Sequence, residues 1–219
     1  MTQSSTQSQS PLTSKRVLAL ATVTLLAGWS LSAIAPESEP VEPLRELASE
    51  AKTYEIDLSH SGVLFKVRHL GLSWCWGRFT SFEGSLTYDE KSAGCSIEMS
   101  IDPASLDTAS EGRDKHVTGA DFLNVAQFPE AGFRSTKVTA GEDGALQIQG
   151  VFSLHGVEKE VELEAQILGQ GDKGERFGER IGFEGSLRFN RRDFGITTYP
   201  DSAVGDEVEV IIAIEGKLK

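Results

Sequence analysis

The chain has 219 residues, of which 39% are apolar and 25% charged, and a formal net charge of −12 at pH 7. These fractions exclude a disordered chain and a polytopic membrane protein, and the length suits one substantial domain. An acidic surplus with no run of Lys or Arg removes the electrostatic basis of nucleic-acid binding.

Residues 1–35 have the layout of a targeting segment: a polar Ser/Gln/Thr tract, then Lys15 and Arg16, then an uncharged apolar run from Val17 to Ala35. The run ends in Ala33-Ile34-Ala35, the small-x-small pattern of a signal-peptidase site, but Pro36 is a poor residue just after a cleavage point. Cleaved, the segment is a signal peptide; retained, it is a membrane anchor that nearly spans a hydrocarbon core, with the basic pair placing the rest of the chain across the bilayer. Either outcome exports the domain, so a periplasmic or secreted location is expected, with anchoring to the inner membrane in the second case. Residues 36–53 then form an acidic linker that opens Pro-Glu-Ser-Glu-Pro-Val-Glu-Pro. Beyond it stand both cysteines, Cys75 and Cys95. An oxidising compartment permits a disulfide between them, but a hairpin turning near residues 90–94 puts Cys95 beside the turn and Cys75 far up the partner strand.

The body of the chain, 54–219, alternates with a period of two. Val157, Val161, Leu163, Ala165 and Ile167 share a face opposite Glu158, Glu160, Glu162 and Glu164. Similar alternation places Cys95, Ile97, Met99 and Ile101 together, then Leu146, Ile148, Phe152 and Leu154, then Ile181, Phe183, Leu187 and Phe189, then Val208, Val210, Ile212 and Ile214. With stretches 62–70, 77–89 and 132–140, about eight strands are predicted, joined by short turns such as Gly141-Glu-Asp-Gly144. The fold class is therefore all-β. Antiparallel strands with one apolar face form a sandwich or close into a barrel, and closure removes the exposed edges. One segment, 102–131, lacks alternation, and 111–128 reads as one or two short helical turns in a connection that runs across or beside an opening of the barrel.

Catalytic constellations are weak. His60, His69, His116 and His155 fall on different segments without metal-ligand spacing. Ser153 and His155 share a strand face without a nucleophile elbow, and Asp193-Phe194-Gly195 lacks the phosphate loop and catalytic loop of a kinase. No catalytic residue, metal or cofactor is expected. The densest polar cluster is Arg113-Asp114-Lys115-His116, inside the long connection and ahead of Asp121-Phe122. It reads either as a solvated helix start or as a group at the barrel mouth that meets the polar head of a bound lipid.

Taken in order, the residues resemble the YceI-like polyisoprenoid-binding family from about Tyr54 to Lys219. The resemblance is carried by Tyr54-Glu-Ile-Asp57, His60-Ser61, Val63-Leu-Phe65 and His69; by Gly77-Arg-Phe79 and Phe82-Glu-Gly84; by Arg113-Asp-Lys-His116 with Ala120-Asp-Phe122, Phe128-Pro129, Phe133 and Ser135-Thr136; and by His155-Gly-Val157, Lys159, Arg192-Asp-Phe-Gly195 and Val204-Gly-Asp-Glu-Val208. It implies a lipocalin-like eight-stranded antiparallel barrel with a short helical crossover, binding an isoprenoid lipid such as a polyprenyl lipid or a quinone tail, and it supplies no catalytic residue. The chain departs from the family pattern at Trp74-Cys75-Trp76.

Burying hydrocarbon yields about 0.8 kcal/mol per CH2, so the length of a lipid tail alone can give affinity. The expected ligand-binding residues are Phe65, Val67, Phe82, Leu86, Met99, Arg113, His116, Phe122, Phe133, Phe152, His155, Phe183 and Leu187, with Ile97, Ile148 and Ile212 as further lining positions. A carrier is the leading reading. Two rivals stand beside it: an enzyme using His116, Asp114 or His155 on an isoprenoid, and a barrel with a filled core that binds partner proteins. Membrane association through the N-terminal segment and a homodimer are both left open.

Overall fold

The computed structural model of the chain describes residues 51–89 and 94–219; the leader, nearly all of the linker and the turn after Asp89 lie outside them. Where the sequence alternates, it forms strands. In chain order these are β1 (Lys52–Ile56), β2 (Gly62–His69), β3 (Ser73–Phe79), β4 (Phe82–Tyr88), β5 (Ser96–Ile101), the short β6 (Leu106–Asp107), β7 (Ala131–Ala140), β8 (Ala145–Leu154), β9 (Val157–Asp172), β10 (Glu179–Asn190) and β11 (Val204–Leu218). The helix α1 (Glu111–Val117) lies in the long connection between β6 and β7. No helix among the described residues is long and apolar enough to cross a membrane.

All pairings are antiparallel, and they run β1-β4-β5-β7-β8-β9-β10-β11 and back to β1, closing an eight-stranded barrel. β1 and β2 both pair with β11, Ile56 opposite Gly216 and Gly62 opposite Ala213, so they are one strand interrupted at residues 57–61. The sequence explains the break. Asp57 accepts hydrogen bonds from the Ser59 amide at 3.1 Å and hydroxyl at 2.6 Å, which folds a tight turn instead of continuing the ladder. Arg180 Nη1 reaches the Asp57 carboxylate at 2.7 Å and that of Glu215 at 3.1 Å. The hydrogen bonds from Ser59 and Arg180 hold the Asp57 carboxyl well below the usual range. β3 and β4 form a second interrupted strand, breaking at Thr80 and Ser81.

Two further features shape the barrel. β4 is hydrogen-bonded to β5 along its length, whereas β3, away from β2, pairs only with the two residues of β6 among the described residues. At that end the ladder gives way to the connection 102–130, which fills the gap. The β8–β9 hairpin turns on His155 and Gly156, with φ of 53° and 74°; positive values at both central residues match the twist of antiparallel strands.

The interior divides along the barrel axis. At the β1 end Tyr54, Leu86, Ile97, Ile148, Ile181 and Phe183 are each 3% exposed or less and pack into one cluster. Full burial of such side chains contributes about 1.5–3 kcal/mol each. At the β2–β3 end the inward-facing Phe65, Val67, Phe189, Val208 and Val210 are only half-buried. Cys75 faces this second half, while Cys95 sits just ahead of β5 at the other end of the β3–β4 run, with hydrogen bonds of 3.3 and 3.2 Å to the Asp89 backbone. Both thiols are unpaired.

Candidate functional site

The half-buried interior surrounds a cavity of about 360 Å³, within the ~300–1,000 Å³ that small-molecule sites occupy. Its walls are strand faces: Val63, Phe65 and Val67 from β2, Cys75 and Phe79 from β3, Phe152 and Leu154 from β8, Phe189 from β10, and Val208 and Val210 from β11. The long connection contributes Leu106, Val117, Phe122 and Leu123, and the irregular segment before β11 contributes Ile196, Tyr199 and Ala203. The space persists because β3 is not drawn against β5 and because Gly77 has no side chain. A Cβ there would stand 2.4 Å from Phe65 Cζ, so the glycine lets the Phe65 ring lie flat over β3.

Polar groups at this end are tied to one another. Arg191, 3% exposed, donates to the carbonyls of Ile196 (2.6 Å), Tyr199 (2.6 Å), Val204 (2.8 Å) and Gly205 (3.1 Å) and to Asp206 Oδ1 (2.8 Å). Burial disfavours its charge and lowers its pKa from the ordinary arginine value, an effect that the Asp206 carboxylate offsets. The guanidinium thus gathers the 196–206 segment into a fixed wall. Across the mouth, Asp114 accepts from the Thr108 amide at 2.8 Å and hydroxyl at 2.5 Å, and Arg113 donates to Thr108 Oγ1 (2.8 Å) and O (2.6 Å). This clasp fixes α1 over the gap beside β6. His116, Phe122 and Tyr199 then form an aromatic cluster: Tyr199 stacks on Phe122 at 5.1 Å, and His116 Nε2 lies 3.1 Å from the Tyr199 hydroxyl and 3.6 Å from Asp121 Oδ2.

The structure therefore brings six of the expected residues to one cavity: Phe65, Val67, Arg113, His116, Phe122 and Phe152. It places Phe82, Leu86, Met99, Phe133, Phe183 and Leu187, with Ile97, Ile148 and Ile212, in the packed core. His155 lies at the β8–β9 turn, its Nδ1 donating to the Phe194 carbonyl at 2.9 Å and its ring 4.2 Å from Phe128. The period of two identifies which face is inward but not how far along the barrel the packing stops, so both halves looked alike. Val208 and Val210 carried the same signal as Ile212. Tyr199 and Ile196 carried none, because they sit in irregular chain held by Arg191.

Three comparisons bear on this arrangement. Residues 54–216 match the family model of the YceI-like domain. A UPF0312 protein of Enterobacter sp. (strain 638) is 47% identical over 170 residues, covering 76% of this chain and 86% of the relative. Among solved structures, BcnA of Burkholderia cenocepacia superposes with a TM-score of 0.66 at 22% identity, covering 73% of this chain and 98% of that one. A polyisoprenoid-binding domain from Saccharophagus degradans implicated in plant cell wall breakdown superposes with a TM-score of 0.57 at 15% identity, covering 78% of this chain and 100% of that one. In both structures the barrel accounts for nearly the whole polypeptide.

Proposed function

Because the chain belongs to the YceI-like family, we propose that it is an exported carrier that sequesters the hydrocarbon tail of an isoprenoid lipid, a polyprenyl lipid or a quinone, in the cavity between β2, β3 and β11. The observation that carries this reading is an apolar space of about 360 Å³ at one end of a barrel whose other end is filled by its own side chains. An enclosed apolar space of that size gains by exchanging water for hydrocarbon, at about 0.8 kcal/mol per CH2. Affinity of this kind grows with tail length, and a headgroup needs few contacts.

A binding role without catalysis fits the polar groups at the mouth. Arg113, Asp114 and Thr108 hold one another, Arg191 is occupied by backbone carbonyls and Asp206, and His116 packs edge-on against the stacked rings of Phe122 and Tyr199. The His116–Tyr199 pair is a polar edge of the cavity lining and is a place where a quinone carbonyl or a phosphate would be met. The basic pair and apolar run ahead of the domain support export, with the leader removed or kept as an anchor.

Native mass spectrometry of the detergent-free exported protein, followed by organic extraction, tests the reading. A stoichiometric isoprenoid of unchanged mass is the expected result. A protein that carries no lipid and refuses added polyprenyl phosphate and quinone sinks it.

A further inference from the structure

Four large apolar side chains at and behind the tip of the β2–β3 hairpin are exposed: Leu70 by 53%, Leu72 by 81%, Trp74 by 44% and Trp76 by 48%. Solvated leucines and tryptophans grouped on one tip mark a surface that meets something apolar. The tip is held rigid. The Leu70 amide donates to the Ala203 carbonyl at 2.9 Å, the Leu72 amide to the His69 carbonyl at 2.9 Å, and Arg68 Nη2 to the Gly71 carbonyl at 2.5 Å.

Its chemistry is layered. Lys66 and Arg68 stand directly opposite Trp76 and Trp74 in the β2–β3 ladder, with the Arg68 guanidinium 5.0 Å above the Trp74 ring and the Lys66 ammonium 5.2 and 5.4 Å from the two rings. Glu209 neutralises Lys66 at 3.0 Å, and Asp121 faces His116. Among the described residues no carboxylate lies within ion-pairing distance of Arg68, or of Arg113 and Lys115 across the mouth. The hairpin thus presents leucines at its tip and, behind them, amphipathic indoles level with Arg68 and Lys66, of which Arg68 has no carboxylate partner among the described residues, on a domain that is otherwise acidic. An apolar tip backed by indoles and cations at one level matches a bilayer interface, where acyl chains give way to the headgroup region. The tip is also continuous with the cavity, since Arg68, His69, Cys75 and Trp76 line it.

We propose that the β2–β3 hairpin is a membrane-docking element that inserts Leu70 and Leu72 into an anionic phospholipid surface and seats the cavity mouth on it. The proposal rests on the carrier reading, because a lipid too insoluble to cross water must enter the cavity from a bilayer. The surface it needs is phospholipid, and a second copy of the chain is the competing occupant.

The test uses residues 51–219, the part that the solved barrels show to be a complete folding unit. Within it Trp74 and Trp76 are the only tryptophans, so intrinsic fluorescence reports the hairpin alone. Vesicles of phosphatidylethanolamine with phosphatidylglycerol, free of isoprenoid lipid, are expected to sediment the domain and shift its tryptophan emission to the blue, and pure phosphatidylcholine vesicles to bind it less. Leu72→Glu is expected to lower partitioning about tenfold or more, and Arg68→Gln to erase the preference for anionic vesicles, both with unchanged circular dichroism. No partitioning by the wild type, or equal partitioning by Leu72→Glu, overturns the proposal. So does a dimer that Leu72→Glu splits while vesicles are ignored. Cargo is read separately by extraction: vesicle binding without cargo upholds docking and strikes the carrier reading, and cargo without vesicle binding does the reverse.

Discussion

Arg191 shows what one buried charge can do when each of its nitrogens donates to the same segment. Five hydrogen bonds to the 196–206 segment replace the water it lost, so removing it strands several carbonyls together with part of the Asp206 charge. Arg191→Met is expected to cost about 3–5 kcal/mol, read as a lowered midpoint in urea unfolding; a loss below about 1 kcal/mol would show that the segment holds itself. Tyr54 makes a second residue-scale case. Burial, the hydrogen bond to Glu179 at 2.9 Å and the charge of Glu179 push its pKa up to about 12. The fold therefore favours the neutral phenol, so this contribution to stability is complete below the unfolded pKa of about 10 and is lost as pH rises toward 12. In an absorbance titration at 295 nm Tyr54 should ionise near pH 12, and Tyr54→Phe should abolish that step. A native titration with no step that Tyr54→Phe removes contradicts the assignment.

At the scale of elements, the β8–β9 hairpin depends on a turn with two left-handed residues. At Gly156 the φ of 74° is joined by a contact, since a Cβ would stand 2.7 Å from the Phe128 ring. Gly156→Ala is expected to destabilise by about 1–3 kcal/mol through backbone strain and crowding, and thermal unfolding that leaves the midpoint unchanged would refute this. The two strands were legible from their alternation, but the turn was not: Ser153 and His155 read as sharing a strand face, whereas β8 ends at Leu154 and His155 stands in the turn with a φ of 53°. The same alternation made eight strands and their antiparallel order readable. What it hid were the interruptions: Asp57 breaks the first strand by capping a turn with its own side chain, and β1, which closes the circuit against β11, begins at Lys52 inside the span read as linker. Five residues of strand ahead of a capped turn are too short for periodicity to register. The connection 102–131 was legible as irregular chain with a short helix, but not the Thr108–Asp114–Arg113 clasp that fixes it, because that is a matter of side-chain reach.

The whole barrel is two halves under one hydrogen-bonded circuit. Ile148, 1% exposed in the filled half, should cost about 2–5 kcal/mol when truncated to alanine, while the extractable lipid stays stoichiometric well below the melting temperature. Val210, half-buried on the cavity wall, should behave oppositely: Val210→Phe is expected to keep or raise stability by up to about 2 kcal/mol and to lower lipid binding at least about tenfold. Calorimetry beside lipid extraction on both variants checks the pair, and a Val210→Phe protein that still loads fully would show that the cargo lies elsewhere. The division was not readable in the alternation, which treats Phe183 and Phe189 alike although Phe183 is 1% exposed and Phe189 is half-buried on the cavity wall, its ring against Phe152 and Phe194.

The unfilled half also sets how such a barrel can change over time. Phe65, Val67 and Val208 are half-buried on the chamber wall and stand outside the core cluster, so substitutions there reshape the chamber with little effect on the packed half. On the carrier reading, variation in cargo and variation in robustness then fall on largely separate sets of residues, and one apolar guest can be exchanged for another by substitutions that leave the protein foldable.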